Sequence, residues 1–493
     1  MIIPGAHRFD GLNVAILGVG KSGRAAIEAL RAHTAARLGA WDSSTAAIDS
    51  LDRSSLEEVY ASADPAQLME SLLGWGPDIV VIAPGFRQSG YEWATLRARG
   101  IRVWSEIELA WHLRAQADDG TYAPWLCVTG TNGKTTTVGM VESIVQAAGL
   151  RALAVGNVGV PAVTAVSDTS ANAPQVFACE LSSFQLAATY SMEPTSAIVL
   201  NLADDHLEWH STREEYANAK ATIYERTHQA CVYPVGDSVV QGMVDSADVI
   251  EGARAIGVSL GIPSLGQLGF VEDVAVDRAF NATAHSHAEE LFTLADLEHL
   301  SPEGYALPAH IAKDALAAAA LARSIGIPAS AVAQGLRDYT PGAHRIAHVA
   351  TVNGVAYVDD SKATNAHAAQ ASLLGHDTAT TIWIAGGIAK GACFDALVER
   401  VRDRLAGVVV IGVDQEPWRA ALAHLDVPVT YIDTDAQDPM AEAVAQATAL
   451  AVPGQTVLLA PACASQDQFV SYGERGDKFA KAVAELVASH EEE

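Results

Sequence analysis

A short stretch at residues 127–137, read CVTGTNGKTTT, constrains the fold of this chain more than any other feature. The common phosphate-binding signature is G-x-x-x-x-G-K-[ST]. The string GKT at residues 133–135 supplies its last three positions, but Val128 stands where its first glycine belongs, and a glycine follows later at Gly130. The stretch is therefore a variant of the phosphate-binding loop rather than its common form.

The residues on both sides of this stretch predict a turn between a strand and a helix. Residues 125–129 form an apolar run with β-branched members, which is typical of a buried strand. Apolar residues recur at helical spacing after Thr135, and Gly149 stands where such a helix would stop. Residues 130–134 are then expected at a helix N-terminus, where backbone N–H groups bind phosphate oxygens.

Two side chains of the turn have the chemistry that nucleotide binding needs. Lys134 can neutralise the β- and γ-phosphates of a nucleoside triphosphate, and the hydroxyl of Thr135 can bind Mg²⁺. The alternative is an ordinary glycine-rich turn between a strand and a helix. A lone pair of glycines would favour that alternative, whereas GKTT after a clear strand favours phosphate binding.

Length and charge limit the possible functions. The 493 residues are enough for about three domains of ordinary size. The formal net charge of -28 argues against nucleic acid and anionic membranes as partners. Five cysteines without C-x-x-C spacing predict a reducing compartment, with no disulfide framework and no zinc site. Because we see neither a transmembrane segment nor a signal peptide, we expect a cytoplasmic protein without membrane insertion.

Strand and helix patterns alternate along most of the chain, which predicts an α/β fold. We expect three domains: an N-terminal Rossmann-like domain at residues 1–118, a central P-loop mononucleotide-binding sheet at 119–341, and a C-terminal Rossmann-like domain at 342–493. Residues 246–300 are weakly patterned and stay unassigned. An alanine-rich helix is predicted at residues 312–325, and strands are predicted at residues 14–17, 79–83, 125–129, 176–179, 197–200, 354–358, 382–385, 408–411, 429–432 and 457–459.

The first domain begins with a glycine-rich turn. Residues 18–23 follow the first strand with G-x-G-x-x-G spacing, and Asp42 stands where an acidic residue binds a ribose hydroxyl in dinucleotide-binding proteins. Taken alone, this pattern would suggest a dehydrogenase. A helix N-terminus binds any pyrophosphate, however, and a second nucleotide domain that carries Lys134 favours a ligase acting on a nucleotide-linked substrate.

A further set of polar residues follows the strands of the central domain. Glu180 directly follows a predicted strand and can hold Mg²⁺ on a γ-phosphate, although a strand-end acid can equally cap the next helix. The loop at residues 204–206 contains two aspartates and His206, a residue that can bind metal or position a substrate. Lys220 falls in a predicted helix at residues 214–227 and, on its local sequence alone, is an ordinary solvated lysine.

Taken together, these motifs resemble the Mur ligase family over essentially the whole chain. The displaced glycine of the phosphate-binding loop is the family's own form of that loop. So many strings in one order make the resemblance specific. The strings that carry it are GTNGKTT at 130–136, GNVG at 156–159, ELSSFQ at 180–185, DH at 205–206, AK at 219–220, HR at 344–345, DSKATN at 360–365 and PACAS at 461–465.

The resemblance implies an ATP-dependent ligase that joins an acid to an amine through an acyl phosphate, in peptidoglycan precursor synthesis. The DSKATN and PACAS strings favour UDP-N-acetylmuramoyl-L-alanine and D-glutamate as substrates. Two alternatives stay open: a sister enzyme that adds L-alanine, a diamino acid or glutamate to folate, and a nucleotide-binding regulator without chemistry. The sequence does not give the oligomeric state, and a monomer is expected.

The resemblance also implies which residues bind the nucleotide and metal. Lys220 would carry a carbamate, which turns its amine into an anion that can support Mg²⁺. Lys134, His206 and Lys220 would be catalytic. Two Mg²⁺ ions would be held by Thr135, Glu180, His206 and Lys220, and ATP would be contacted by Gly130, Thr131, Asn132, Gly133, Lys134, Thr135, Thr136, Asn157, Arg345 and Asp360.

The implied substrate residues fall into three groups. The uridine diphosphate end would be held by Gly18, Val19, Gly20, Lys21, Ser22, Asp42, Ser43, Pro84 and Gly85. The muramoyl end would face Ser182, Ser183 and Gln185. The amino acid is a dianion, which needs local positive charge and hydroxyls in so acidic a chain. It would be bound by Lys362, Thr364, Lys390, Ser465, Gln466 and Tyr472.

The sequence departs from the family pattern at two places. Many relatives carry a glycine and a His-Asn pair before the alanine-rich helix, whereas here the string at residues 307–314 is LPAHIAKD, with only His310 in place. The resemblance therefore assigns no nucleotide contact to this segment. Gln466 is polar at a position where an apolar residue is common.

Overall fold

The structure, a computed structural model, describes residues 1–203, 205, 207–301 and 307–491, without the side chains of residues 207, 208, 490 and 491. The chain divides into two compact units, residues 1–296 with 313–339 and residues 297–312 with 340–493. The first unit contains two β-sheets and the second unit contains one. In the described part of the chain, no helix is long and apolar enough to cross a membrane.

The first sheet is parallel throughout and has the strand order β3-β2-β1-β4-β5. Its strands are short apolar runs that are covered on both faces, as in Ile79–Ile82, where all four residues are buried. The strands are β1 (Asn13–Leu17), β2 (Arg37–Asp42), β3 (Glu58–Ala61), β4 (Ile79–Ile82) and β5 (Arg102–Trp104). The helices are α1 (Lys21–His33), α2 (Thr45–Asp49), α3 (Pro65–Trp75), α4 (Tyr91–Ala98) and α5 (Glu106–His112), with a 3-10 turn at Ala6–Phe9.

The second sheet has nine strands in the order β14-β13-β12-β11-β10-β9-β6-β8-β7. Its pairs are parallel from β7 to β12 and antiparallel from β12 to β14. The strands are β6 (Trp125–Thr129), β7 (Ala152–Gly156), β8 (Val176–Glu180), β9 (Ser196–Val199), β10 (Ala230–Pro234), β11 (Arg254–Val258), β12 (Gln267–Val271), β13 (Val274–Asp277) and β14 (Glu289–Thr293). The helices are α6 (Lys134–Ala147), α7 (Ala162–Val166), α8 (Ser183–Leu186), α9 (Leu207–His210), α10 (Arg213–Ala221), α11 (Ser238–Ser246), α12 (Ala309–Ser324) and α13 (Ala329–Asp338), with 3-10 turns at Thr222–Tyr224 and Leu294–Leu300.

The third sheet lies in the second unit and has the order β15-β16-β20-β17-β18-β19, in which only the β15–β16 pair is antiparallel. Apolar side chains from both of its faces form two buried clusters. The strands are β15 (Ala347–Val352), β16 (Val355–Asp359), β17 (Thr381–Gly386), β18 (Leu405–Ile411), β19 (Val429–Tyr431) and β20 (Thr456–Leu459). The helices are α14 (Ala366–Leu373), α15 (Asp395–Val401), α16 (Glu416–Leu422), α17 (Pro439–Leu450) and α18 (Tyr472–Glu491), with a 3-10 turn at Arg402–Arg404.

The predicted strands are confirmed, with ends that differ by a few residues at most. The predicted helix at residues 214–227 is wrong at its end, because α10 stops at Ala221 and a 3-10 turn follows. The Thr222 hydroxyl donates a 2.8 Å hydrogen bond back to the Ala219 carbonyl, which satisfies an oxygen at the helix end. The unassigned residues 246–300 contain β11 to β14, whose short antiparallel members give little periodicity.

One buried carboxyl should make the stability of the first unit depend on pH. Glu106 is 4% exposed; one of its oxygens accepts a 2.6 Å hydrogen bond from the Val163 N–H, and the other has no partner among the described residues. Burial raises the pKa of Glu106 from 4.5 to about 7, against the lowering effect of the Val163 and Ala162 N–H groups.

The pKa of Glu106 is higher in the folded protein than in the unfolded chain, so between the two pKa values the folded protein holds a proton that the unfolded chain has released. The free energy of unfolding is therefore highest below the unfolded pKa and falls as the pH rises through the folded pKa. The decline attributable to Glu106 should lie between its unfolded pKa of 4.5 and about 7 and amount to about 3 kcal/mol. The Glu106→Gln variant should lose this decline, measured as urea midpoints at about pH 5 and about pH 8. The exposed Glu28→Gln variant is the matched control, and the same pH dependence in all three proteins would contradict the assignment.

Candidate active site

The predicted phosphate-binding loop lies between β6 and α6, as the sequence indicates. Gly133 has φ +85°, and a Cβ atom there would lie 2.5 Å from a carboxylate oxygen of Asp314. Only glycine fits this position, because the backbone is left-handed and the space beside it is filled. Asp314 is 5% exposed on α12, and nothing in its alanine-rich surroundings indicated that it would contact this loop.

Residues that follow β9 and one residue of α10 hold the loop by hydrogen bonds. The Asn201 side chain accepts a 2.9 Å hydrogen bond from the Asn132 N–H and donates a 3.1 Å bond to the Asn132 carbonyl. The Thr131 hydroxyl lies 3.0 Å from the Tyr216 hydroxyl and accepts a 3.0 Å bond from the Ala203 N–H. These contacts fix the backbone of the loop before any ligand binds, so less ordering is needed on binding.

Two lysines converge on the same loop. Lys134 Nζ donates to the carbonyls of Gly130 and Thr131 at 2.9 and 2.8 Å. Lys220 Nζ donates to the Gly130 carbonyl at 2.9 Å and lies 3.4 Å from the Thr129 hydroxyl. The two amino groups therefore share one acceptor, which brings both lysines to the loop where the phosphates of a nucleotide would lie.

Lys220 is not the solvated lysine that its local sequence indicates. It is 2% exposed, and its Nζ lies 4.6 Å from the centre of the Tyr216 ring. Burial lowers the pKa of Lys220 well below its usual value, and the Lys134 charge lowers it further, while Asp205 and Glu180 oppose the shift. A lysine in this environment carries a larger share of neutral amine, which is the nucleophilic form.

Glu180 presents a carboxylate oxygen with the character of a metal ligand. The residue is 2% exposed at the end of β8; Oε1 accepts a 2.9 Å hydrogen bond from the Asn157 amide, and Oε2 is buried with no partner among the described residues. A buried carboxylate oxygen without a donor is costly unless a cation satisfies it. Together with the half-buried hydroxyl of Thr135, Glu180 supplies oxygen ligands of the kind that Mg²⁺ prefers.

The loop predicted at residues 204–206 is described only at Asp205. His206 and its neighbour Asp204 lie outside the described residues. Asp205 is described, and its charge acts on Lys220. Among the described residues there is no group of three or more His, Cys, Asp or Glu side chains with metal-site spacing.

The glycine-rich turn of the first domain is also formed. A Cβ atom at Gly23 would lie 2.0 Å from the Gly18 carbonyl, so the close approach of the turn to α1 requires glycine there. The Asp42 carboxylate accepts hydrogen bonds from the Val19 N–H at 2.7 Å and from the Ser44 N–H at 2.8 Å. Asp42 thus supports the turn itself, a role that the sequence pattern did not indicate. Lys21 Nζ donates to the Gly159 carbonyl of the second sheet's GNVG string.

The ELSSFQ string forms a tight, buried corner after Glu180. Ser182 and Gln185 form a capping box at the start of α8, with hydrogen bonds of 3.2 Å from the Gln185 N–H and 3.0 Å from the Ser182 N–H. Ser183 is 2% exposed, and its hydroxyl lies 2.8 Å from Nε2 of the fully buried His210. The capping box holds the corner rigid, and His210 fixes the direction of the Ser183 hydroxyl.

Trp209 connects this corner to the first domain. Its indole N–H donates a 2.9 Å hydrogen bond to the carbonyl of Pro84, and its ring lies 4.7 Å from Phe184 and 6.3 Å from Trp93. Pro84 is one of the residues predicted to hold the uridine diphosphate end. A large aromatic side chain therefore fixes the spacing between two predicted substrate loops, which sequence patterns alone did not indicate.

The second unit brings together the loops predicted to bind the amino acid. They follow the carboxyl ends of β16, β17 and β20, which are neighbours in the sheet. Backbone hydrogen bonds join Ile388 to Ala464 at 2.9 and 3.2 Å and Ala462 to Ala363 at 2.9 Å. Thr364, Lys390 and Ser465 are therefore held on one connected set of loops, as ligand sites in open α/β sheets usually are.

Individual side chains on these loops differ in their surroundings. Lys362 Nζ lies 4.0 Å from the centre of the Tyr472 ring. Lys390 and Gln466 are exposed, whereas Ser465 is 1% exposed with a buried hydroxyl that has no partner among the described residues. The fully buried Arg475, which the sequence reading missed, donates to the Ser361 hydroxyl and carbonyl at 2.9 and 2.8 Å and to the Cys463 carbonyl at 3.1 Å. Arg475 thereby ties the DSKATN and PACAS strings together.

The predicted nucleotide contacts of the second unit are close to one another. Asp360 is 8% exposed and accepts a hydrogen bond from the Ser372 hydroxyl. Burial raises the pKa of Asp360 to about 7, against the lowering effect of Ser372 and Arg345. In the preceding residue, Asp359, the carboxylate oxygen Oδ2 lies 2.6 Å from Nδ1 of His344. His344 has φ +65°, in the left-handed region. Asp359 thus contacts His344 in its left-handed conformation, while the charge of Arg345 acts on Asp360.

The chain has clear relatives among known proteins. Residues 128–322 match the Mur ligase middle domain, and residues 344–463 match the Mur ligase glutamate ligase domain. It is 47% identical over 487 residues to the UDP-N-acetylmuramoylalanine–D-glutamate ligase of Streptomyces coelicolor, covering 97% of this chain and 99% of that protein. Proteins of the same name from Thermobifida fusca and Mycobacterium avium are 43% and 40% identical, covering 97% and 96% of this chain and 99% and 96% of their own length.

Solved structures support the same grouping at the level of the fold. UDP-N-acetylmuramate-alanine ligase from Thermotoga maritima matches with a TM-score of 0.55 at 16% identity, covering 97% of this chain and 100% of its own. A pseudomurein peptide ligase type C from Methanothermus fervidus matches with the same TM-score at 15% identity and the same coverages. The three-domain α/β fold class is confirmed, and the chain belongs to the Mur ligase family, whose members use ATP with Mg²⁺.

Proposed function

We propose that this protein is an ATP-dependent ligase that joins D-glutamate to UDP-N-acetylmuramoyl-L-alanine and releases ADP and phosphate, a step of peptidoglycan precursor synthesis. The choice of substrates is supported by the relatives of that name at 40 to 47% identity over nearly the full length. The observation in the site that carries the proposal is the convergence of Lys134 and Lys220 on the Gly130 carbonyl. We expect the enzyme to act in the cytoplasm, where ATP and UDP-linked substrates occur. The five free cysteines are consistent with a reducing compartment.

Phosphate activation of the carboxylate is the first chemical step. A carboxylate is a poor acyl donor, so the alanyl carboxylate oxygen attacks the γ-phosphorus, ADP leaves, and an acyl phosphate forms. Both reactants are anionic, and Lys134 neutralises charge that develops on the transferred phosphoryl group. The helix N-terminus at α6 and the rigid backbone of the loop add fixed N–H donors at the same place.

Amide formation is the second step. The amine of D-glutamate attacks the acyl carbon and loses a proton, and phosphate leaves with the oxygen that came from the carboxylate. We assign binding of the D-glutamate carboxylates to Lys362, Thr364, Lys390, Ser465, Gln466 and Tyr472. This assignment is supported by the backbone links among their loops and by the partnerless Ser465 hydroxyl.

The metal sites form part of the same proposal. Thr135, Glu180, His206 and Lys220 would hold two Mg²⁺ ions, with Lys220 as its carbamate. When bound, the ions reduce the repulsion between the phosphate oxygens and the incoming carboxylate. The burial of Lys220 supports the modification, because its neutral amine can add to the carbon of CO₂ with release of a proton. The partnerless oxygen of Glu180 supports a cation beside it.

A panel of amino acids tests the proposed function. Phosphate release is measured with UDP-N-acetylmuramoyl-L-alanine and, in turn, D-glutamate, L-glutamate, L-alanine and a diamino acid. Release should depend on D-glutamate, and each other amino acid should give at most a small fraction of that rate. ATP binding without amino-acid-dependent phosphate release would support a regulator, and a preference for another amino acid would support a sister enzyme.

Removal of one hydrogen bond tests the connection made by Trp209. Trp209→Phe keeps an aromatic ring but loses the bond to the Pro84 carbonyl, so the KM for the UDP-linked substrate should rise about tenfold. The KM for ATP should stay unchanged. Trp125→Phe is the matched control, because the indole N–H of Trp125 has no partner among the described residues. Equal effects of both variants on the UDP-linked substrate would contradict a positioning role for Trp209.

A further inference from the structure

A cavity of about 300 Å³ in the first unit lies away from the residues assigned to the ligase reaction. Its walls include Arg8, His112, Arg114, Tyr122 and Glu193, and we call it the seam pocket because it lies where the first sheet's domain meets the second sheet. It adjoins a second cavity of about 410 Å³ at the start of β6. The phosphate-binding loop follows the carboxyl end of β6, whereas the cavities lie at its amino end. The two sites are therefore about 17 Å apart along that strand.

Arg114 is the central residue of the seam pocket. Its Nε donates a 2.8 Å hydrogen bond to the Trp111 carbonyl, and its guanidinium carbon lies 3.1 and 4.4 Å from the ring centres of Trp111 and Tyr122. The rings fix the side chain, and among the described residues the guanidinium makes no further hydrogen bond. Among the described residues, no carboxylate lies within 4.0 Å of this guanidinium.

The surroundings of Arg114 make its cation costly. Burial lowers the pKa of Arg114 to about 10, and electrostatic interactions with Tyr122 and Glu193 oppose the shift. A partly desolvated guanidinium without a paired anion is unfavourable, since desolvation is not offset by a close opposite charge. An anion that accepted its free N–H groups would recover that energy, and the planar fork suits the two oxygens of a carboxylate or phosphate.

A second arginine lines the same pocket. Arg8 is exposed, its Nη1 lies 3.5 Å from Nδ1 of His112, and it also lacks a carboxylate within 4.0 Å in the described part of the chain. His112 is fixed by Ser191 at 3.2 Å and by Glu108 at 3.4 Å. Glu193, the carboxylate in the wall, lies 3.2 Å from His228.

The seam pocket places two cationic side chains together in an acidic chain. Asp and Glu number 59 against 31 Lys and Arg, so the charge of the chain as a whole would repel a free anion. Two guanidinium groups line this one cavity without an ion pair among the described residues, so the pocket can attract an anion despite the net negative charge of the chain. We propose that the seam pocket binds a small oxyanion, the phosphate or carboxylate group of a metabolite, through Arg8 and Arg114. The proposal does not depend on the proposed ligase function.

Calorimetric titration of the full-length protein tests the proposal. Saturating ADP and Mg²⁺ are present throughout, so that the phosphate-binding loop is filled. Inorganic phosphate is the probe in one arm and acetate in the other, which distinguishes a phosphate from a carboxylate ligand. At least one probe should bind with one site per chain, and Arg114→Gln should raise its Kd at least about tenfold.

Two further variants make the result decisive. Arg8→Gln should also weaken binding, and because Arg8 is exposed this change does not threaten the fold. Arg99→Gln, an exposed arginine outside the pocket with the same change in charge, should leave the Kd unchanged. If neither probe binds, or if wild type, Arg8→Gln and Arg114→Gln bind it equally, the seam pocket is not an oxyanion site.

Discussion

The kcat of the Lys134→Ala variant should be about 10²- to 10³-fold lower than that of the wild type. A decrease of this size is typical for removing one group that stabilises transition-state charge. Lys134 Nζ already lies at the loop, where it donates to the carbonyls of Gly130 and Thr131. The charge on the transferred phosphoryl group would then lack its main protein cation. The KM for the UDP-linked substrate should change little, because Lys134 is assigned to the phosphates. Both constants are measured by initial-rate phosphate release.

The matched control for this change is Lys481→Ala. Lys481 lies on α18 with its side chain 73% exposed, so the same truncation there should leave kcat unchanged. Thermal melting shows whether each variant folds. A folded Lys134→Ala protein with kcat within a few-fold of wild type would contradict the role of Lys134.

The kcat of the Lys220→Met variant should be at least about 10²-fold lower than that of the wild type. The variant should also lack the carbamate that we assign to the Lys220 amine. Methionine keeps an unbranched stem in the buried site but removes the amine that lies 2.9 Å from the Gly130 carbonyl. With ¹³C-bicarbonate, wild-type protein should show a carbamate resonance by NMR that the variant lacks. Full activity in Lys220→Met, or the same resonance in both proteins, would contradict the assignment.

The two lysines should also affect each other. The Lys134 charge lowers the pKa of Lys220, and it would attract the negative carbamate. Lys134→Ala should therefore weaken the carbamate resonance, while Lys481→Ala should leave it unchanged. An unaltered resonance in Lys134→Ala would contradict this effect of Lys134 on Lys220.

The parts of this protein that local sequence specifies could be predicted. The phosphate-binding loop depends on neighbours in the chain, so the GTNGKTT string indicated its strand, its turn and its helix. Parallel strands buried on both faces are continuous apolar runs, which is why half of the strands in the three sheets could be predicted, among them the central strands. The short antiparallel ladder β12 to β14 lacks such runs and went unassigned.

Residues whose roles depend on distant contacts could not be predicted from the chain. Lys220 has the sequence context of a surface helix, and its burial depends on Tyr216 and on Gly130, which is 90 positions away. Asp314 is one polar residue in an alanine-rich helix until the fold places it against Gly133. Asp42 matches a ribose-binding position, and its carboxylate also accepts hydrogen bonds from the N–H groups of Val19 in the glycine-rich turn and of Ser44. Only tertiary structure supplies these contacts.

The central claim is that phosphoryl transfer activates the carboxylate of the UDP-linked substrate at Lys134. The most direct measurement uses UDP-N-acetylmuramoyl-L-alanine with ¹⁸O in its carboxylate and follows the label by mass spectrometry of the released phosphate. If an acyl phosphate forms, each phosphate released in the presence of D-glutamate should carry one ¹⁸O atom. Phosphate released without ¹⁸O, alongside normal amide formation, would contradict the proposed reaction.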